Sequence, residues 1–197
     1  MSRGESQWID TATIDDLDAV TELWVDLARD QRRHGSTLLA AENREAVREW
    51  AARSIVTGEL LVARSDRGDR DGRADRDGRA DRHADADADP LGFVAFSLER
   101  GGYQRDLTRG TVSNLYVRPE RRGEGIGAAL LAAAERALAD AGAEAVALEA
   151  LAGNERAREF YAAHGYEPNR VELEKSIAEE SGDVDGVDDD NEADGSD

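Results

Sequence analysis

Two stretches of this chain cannot contribute to a hydrophobic core, and they determine how much of it is left to fold. Residues 66–89 read DRGDRDGRADRDGRADRHADADAD, repeat DRDGRA and contain no large apolar residue, and residues 176–197 are mostly Asp, Glu, Gly and Ser. Because such segments bury too little apolar surface to offset chain entropy, we predict that both are disordered. The other 151 residues suffice for one domain, which we place at 1–175 with 66–89 as an insertion and 176–197 as a tail.

The negative charge is concentrated in these same stretches. Of the net charge of −19, the repeat contributes nine Asp against six Arg, and the tail has ten acidic residues and no basic one. A chain with this balance lacks the basic face that binding nucleic acid requires, so we expect no nucleic-acid partner. Lys175 is the only lysine. An acid excess with so little lysine is typical of halophilic proteins, and the codon bias of a GC-rich genome is the alternative explanation.

The residues that are missing exclude several classes of protein. The chain has no cysteine, so a disulfide framework or a thiolate site is excluded. Its three histidines show no metal-ligand spacing, and we expect no metal. No apolar run approaches the roughly 18 residues of a membrane span, and the N-terminus lacks the apolar core of a signal peptide. We therefore expect a cytoplasmic protein without a membrane partner.

The apolar pattern predicts a mixed α/β domain with the order β-α-α-β-β-β-α-β-α-β. Asp15 is the candidate cap of the first helix. The repeat falls between the second and third strands, where a long hairpin loop costs little because closure entropy grows slowly with length. Alternating Asp near Gly also suggests calcium loops, but the arginines favour a solvated linker. Strands are predicted at 8–13, 59–65, 91–100, 111–117, 144–151 and 171–177, and helices at 14–35, 43–58, 126–141 and 154–165.

The glycine-rich stretch RRGEGIG, residues 121–127, lies between a predicted strand and a predicted helix. The first N–H groups of a helix have no internal partner and carry partial positive charge, and glycines let a ligand approach the backbone, so this turn suits a phosphate group. Arg121 and Arg122 would add charge-assisted contacts. A dinucleotide site, with Ala128 at the third glycine position, and a tight turn without ligand are the alternatives.

At these residues the sequence resembles the Gcn5-related N-acetyltransferases. Arg122-Gly123-Glu124-Gly125-Ile126-Gly127 matches that family's acyl-CoA pyrophosphate loop, Arg/Gln-x-x-Gly-x-Gly/Ala, within LYVRPERRGEGIGAALL. LEALAGNERAREFYAAHGYEP resembles its second signature. The resemblance extends over about residues 8–176 and implies this family's fold, acetyl-CoA as the co-substrate and an amine acceptor. A homodimer is left open.

The resemblance also implies roles for individual residues. Backbone around Leu115, Tyr116 and Val117 would hold the pantetheine arm and polarise the carbonyl, with Tyr161 as general acid and Asn154 as a cofactor contact. Asn154 and Tyr161 are seven residues apart, so they share one helix face. Asn154 is equally explained as a helix cap, and Tyr161 as a half-buried packing residue.

The general base is harder to identify. The positions where polyamine-acetylating relatives have an acidic pair are the neutral Ser113 and Asn114, which disfavours a dicationic acceptor. Glu149 is our candidate base, because its position five residues before Asn154 and twelve before Tyr161 resembles the spacing in the ribosomal-protein N-terminal acetyltransferases. A glutamate in a strand covered on both sides also needs a partner or a role. A salt bridge or an exposed strand end is the alternative. A site with one uncertain base suits an amine of low pKa, such as an α-amine of a peptide or a small-molecule amine.

Two function classes therefore follow from the sequence. The first is an enzyme that transfers acetyl from acetyl-CoA to a primary amine. The second is a non-catalytic acyl-CoA-binding module of the same fold. Tyr161 favours the first, whereas the neutral Ser113 and Asn114 leave room for the second.

Overall fold

The computed structural model describes residues 7–65, 89–99 and 106–177. Short 3-10 turns precede the first and third helices, and no helix in these ranges has the length and apolar character needed to cross a bilayer. The predicted mixed α/β class is confirmed. The elements are β1 (Gln7–Thr11), α1 (Leu17–Arg32), α2 (Arg44–Val56), β2 (Leu60–Ser65), β3 (Gly92–Leu98), β4 (Arg109–Val117), α3 (Ile126–Asp140), β5 (Ala145–Leu148) and α4 (Glu155–Ala163).

The five strands form one sheet in the order β1-β2-β3-β4-β5. The first four strands pair antiparallel, whereas β5 pairs parallel to β4, and α3 makes the crossover between them. Since β2 and β3 are antiparallel neighbours, the Asp-Arg repeat lies in the sequence between the two strands of a hairpin. The repeat itself lies outside the described residues, except for Asp89.

The sheet is buried on both faces. Leu60, Val62 and Phe93 pack under α1 and α2, whereas Leu61 and Val94 point the other way and pack against α3. Successive side chains of a strand alternate between faces and both faces are covered, so residues 60–63 of β2 and 93–96 of β3 are all apolar. The sheet therefore has a layer of helices on each face, α1 and α2 on one and α3 on the other.

A buried ion pair fixes the start of α1. Asp16 accepts a hydrogen bond from Thr13 N at 2.8 Å, and its carboxylate pairs with Arg64 of β2. Both side chains are almost fully buried. The predicted cap, Asp15, is therefore off by one residue, because a 3-10 turn at Ile14–Asp16 precedes the helix and directs Asp16 inward.

The last predicted strand is absent. Residues up to Tyr166 form one unit and residues from Glu167 onward a second. In the second unit, residues 167–177 contain neither helix nor strand, and Val171, Leu173 and Ile177 are exposed. Alternating apolar residues predicted a strand at 171–177, but a strand also needs a neighbour for its N–H and C=O groups. The acidic tail from residue 178 lies outside the described residues.

Candidate active site

A gap opens between β4 and β5. Their paired register ends at Val112 and Leu148, while β4 continues to Val117. Arg118 N donates a hydrogen bond of 2.9 Å to Leu91 O, in the segment that enters β3. Along an antiparallel pair, residues whose backbone bonds to the neighbouring strand alternate with residues whose backbone faces away from it. The backbone amides of Leu115 and Val117 therefore face away from β3, toward the gap. These are the two amides that the family resemblance implicates.

A β-bulge lies beside the gap. Ala95 is opposite Asn114 and Phe96 is opposite Val112, so Ser113 is an extra residue in β4. The Ser113 hydroxyl donates to Ala95 O at 3.3 Å. A bulge bends its strand and changes the direction of the neighbouring side chains. Here it separates the half of β4 that pairs with both β3 and β5 from the half that pairs with β3 alone and borders the gap.

The glycine turn delivers free backbone amides to the same region. Gly123 and Gly125 have φ of 86° and 84°, a left-handed conformation that favours glycine. A Cβ on Gly125 would contact nothing within 4 Å, so the space above the turn is open. The first intrahelical bond of α3 runs from Ala129 N to Gly125 O at 3.0 Å. Three preceding amides have no intrahelical acceptor and suit an anion, those of Ile126, Gly127 and Ala128.

The arginines of the turn contact the protein's own carboxylates. Arg122 Nη2 lies 2.7 Å from Asp30 Oδ2, and its Nε donates to Val117 O at 2.9 Å. Its guanidinium lies 5.2 Å from the ring centre of Tyr116. Arg121 pairs with Glu124 at 3.0 Å. The sequence suggested phosphate contacts from both arginines, whereas the structure gives Arg122 the role of attaching the turn to α1.

Helix α4 contributes the two residues predicted from the second signature. The Asn154 side chain accepts from Ala157 N at 3.1 Å and caps the helix. Tyr161 packs with Leu115 into the apolar cluster on the α3 face. Its ring makes an edge contact with Tyr166 at 5.8 Å. Burial raises the pKa of Tyr161, so the phenol stays protonated at neutral pH.

Glu149 lies in a different environment from the one predicted. β5 ends at Leu148, and Glu149 follows it as an exposed residue. The prediction that this glutamate is covered on both sides is wrong, because the strand is shorter than its apolar run. Within the described residues its carboxylate has no ion pair, so of the two alternatives the exposed strand end agrees with the structure and the salt bridge does not. Since Leu148 is the last residue paired to β4, Glu149 stands where the gap begins.

A cavity of about 370 Å³ opens on the other side of the bulge, between α1, α2 and β4. Two tryptophans line it, Trp24 of α1 and Trp50 of α2, and neither was predicted from the sequence as a site residue. The available signal was the spacing of Asn43, Val47 and Trp50, which places these residues on one face of α2. Its walls include Trp24, Leu38, Asn43, Val47, Trp50 and Asn114, and Ser113 also contributes to it.

The mixed-sheet fold of this chain is shared with solved structures. A GCN5-related N-acetyltransferase from Ralstonia eutropha JMP134 has a TM-score of 0.61 at 24% identity, over 87% of this chain and 99% of that one. An aminoglycoside N-acetyltransferase in complex with CoA has a TM-score of 0.60 at 18% identity, over 90% of this chain and 99% of that one. Glucosamine-6-phosphate N-acetyltransferase from Arabidopsis thaliana has a TM-score of 0.57 at 13% identity, over 88% of this chain and 100% of that one.

Sequence comparison identifies the family directly. The model of the acetyltransferase (GNAT) family matches residues 41–166, which is well over half of the chain. The chain therefore belongs to the GNAT acetyltransferase family, and the predicted resemblance is confirmed. Comparison with curated protein sequences gave no match.

Proposed function

We propose that this protein transfers the acetyl group of acetyl-CoA to a primary amine by direct attack. The observation that carries this proposal is the position of residues 113–115 of β4. Ser113 and Asn114 border the tryptophan-lined cavity, and the Leu115 amide faces the strand gap. A donor in the gap and an acceptor in the cavity would therefore meet at the bulge.

The donor would be bound mainly by backbone. The amides of Ile126, Gly127 and Ala128 would receive the pyrophosphate at the helix start, where the helix dipole also favours negative charge. The amides of Leu115 and Val117 would bind the pantetheine arm along the open edge of β4. A donor amide aimed at the thioester oxygen stabilises the negative charge that develops there during attack.

The reaction needs one nucleophile and two proton movements. The neutral amine nitrogen bonds to the thioester carbonyl carbon, the C–S bond breaks, and the sulfur leaves with the bonding electrons. Tyr161 donates its phenolic proton to that sulfur, and the amine proton passes to a base. The raised pKa of Tyr161 keeps the phenol protonated until the thiolate forms.

Glu149 is the proposed base, acting at the open end of the gap. Neutralising a lysine-like amine at pH 7 costs about 4.6 kcal/mol, whereas an α-amine costs only about 1 kcal/mol. Carboxylates are weak bases, so a site that relies on one suits the second kind of amine better. We therefore favour an α-amine or another amine of low pKa as the acceptor.

Release of CoA thiol tests this function. The full chain would be mixed with acetyl-CoA and a panel of peptides, amino sugars, polyamines and simple amines, with CoA binding measured separately by calorimetry. Thiol release that depends on an amine, together with the acetylated product by mass spectrometry, is the expected result. CoA binding without release for any amine would replace the enzyme by a non-catalytic acyl-CoA-binding module.

A further inference from the structure

The cavity beside the bulge has an unusual lining for an amine site. Trp24 of α1 and Trp50 of α2 face it together with Leu38 and Val47, and its polar groups are neutral amides and a hydroxyl. Among the described residues, no Asp, Glu, Lys or Arg lines this cavity. Its volume of about 370 Å³ falls in the range of small-molecule sites, roughly 300–1,000 Å³.

Two ion pairs between α1 and α2 lie outside the lining of the cavity. Arg48 of α2 binds Asp18 of α1 at 3.0 Å, and Arg44 pairs with Glu22. These pairs connect the helices on their exposed sides. An acceptor in the cavity would thus meet apolar side chains and amide dipoles, with no carboxylate for a second ammonium and no cation for a phosphate.

The cavity is a cleft open toward solvent, and holding an unpaired charge against its apolar lining costs desolvation, so the lining disfavours acceptors with a second charge. On the basis of the proposed function, we propose that the acceptor is a primary amine on an apolar or aromatic body without a second charge. The body lies between Trp24 and Trp50, and the amine points to the bulge at Ser113. Polyamines, aminoglycosides and amino-sugar phosphates are poor substrates.

A second cavity distinguishes two kinds of apolar amine acceptor, a small arylalkylamine and the N-terminus of a peptide. It measures about 270 Å³, shares Trp50 and Ser113 with the first, and includes Arg53 and Glu59. A small arylalkylamine would fill only the first cavity. A peptide whose first residue is large and apolar would fill the first and extend its chain into the second.

Binding can be measured without turnover. In the presence of CoA, which cannot acetylate, amines are titrated against tryptophan fluorescence. A series of linear monoamines should bind up to about fourfold more tightly for each added methylene. Hexylamine should bind at least tenfold more tightly than the diamine of equal length, which differs only by its second amine. Phenylethylamine and a peptide with an N-terminal phenylalanine distinguish a small arylalkylamine from a peptide acceptor. Only the peptide should lose affinity in Arg53→Ala, because only the peptide would extend into the second cavity.

Three variants place the binding in this cavity. Trp50→Ala removes one wall. Ala46→Phe fills the space from an exposed position of α2 without removing core atoms. Val56→Ala, on the same helix but 85% exposed and outside the lining, is the matched control. We expect at least tenfold weaker hexylamine binding in the first two and no change in the third. Asn114→Asp should shift preference toward the diamine about tenfold.

The outcomes separate this inference from the proposed function. Turnover of the diamine of equal length in preference to hexylamine, whose reacting amine is also lysine-like, would leave the acetyltransferase standing and overturn the apolar acceptor. Hexylamine binding that responds to Ala46→Phe, without thiol release from any amine, would support the site and overturn the proposed function. Equal binding of monoamine and diamine, or binding unaffected by Ala46→Phe, would overturn the inference.

Discussion

Arg122 Nη2 lies 2.7 Å from Asp30 Oδ2, which joins the glycine turn to the first helix across 92 positions of sequence. The same guanidinium donates to Val117 O, at the end of the strand that borders the gap. One side chain therefore connects three parts of the candidate site. The shape of the turn depends on α1 as well as on its own glycines.

Removing this side chain should weaken both the fold and the cofactor site. Arg122→Ala leaves Val117 O without its side-chain donor and leaves the half-buried Asp30 with only Arg33, whose contact is longer at 3.3 Å, and we expect a loss of about 1–3 kcal/mol in unfolding free energy. CoA affinity should fall with it. Arg29→Ala breaks an exposed pair with Asp26 and should cost less than about 1 kcal/mol. Denaturant titration and calorimetry measure the two effects, and equal losses in both variants would contradict this role for Arg122.

Gly125→Ala tests the phosphate site against a matched glycine. Gly125 and Gly58 both have left-handed φ, and a Cβ on either would contact nothing within 4 Å. Each alanine should therefore cost about 1–2 kcal/mol of stability. Only Gly125→Ala should also weaken CoA binding, by more than tenfold, because its methyl group would stand where the pyrophosphate approaches. Unchanged CoA affinity in a folded Gly125→Ala would remove the phosphate interpretation of the turn.

The parts of the site predicted from sequence are those built from consecutive residues. Gly123 and Gly125 indicate a turn, the alanine-leucine run after Ile126 indicates a helix, and Asn154 indicates the start of another. In each case backbone conformation and capping are decided within a few positions. The sequence alone therefore suffices to place the motifs of the turn and of α4 on their elements.

The rest depends on contacts between distant residues. The pairing of Arg122 with Asp30, and the position of Trp24 and Trp50 around one cavity, require the packing of α1 on α2 and β4. The burial expected for Glu149 was wrong because the sheet ends β5 at Leu148, and no local pattern records where a partner strand stops. The strand predicted at 171–177 is likewise absent, because alternating apolar residues alone do not supply the neighbour that a strand needs.

Salt should stabilise this protein if its composition reflects a saline environment. The net charge of −19 produces repulsion that is screened over about 10 Å at 0.1 M salt and about 3 Å at 1 M. We expect the melting temperature and the activity to rise from low to molar KCl. A melting temperature that stays flat over this range would assign the composition to codon bias.

Glu149→Gln should show a loss of rate that depends on pH. If Glu149 takes the amine proton, the variant should be slow below the acceptor's own pKa and should recover at higher pH, where the neutral amine is abundant. Glu155→Gln, another exposed glutamate at the start of α4, should keep the normal rate at every pH. Profiles of kcat/KM against pH check this. A loss of equal size at all pH values would give Glu149 a structural role.

Tyr161→Phe shows most directly whether this chain catalyses acyl transfer with Tyr161 as the acid. The variant keeps the ring and its packing and removes only the proton donor. Tyr166→Phe is the control, because it removes a hydroxyl that donates to Glu135 at 2.9 Å and should cost about 1 kcal/mol of stability without changing turnover. We expect kcat to fall about 10²–10⁴-fold in Tyr161→Phe, with CoA affinity nearly unchanged. Normal turnover in Tyr161→Phe would make this tyrosine a packing residue and contradict the account.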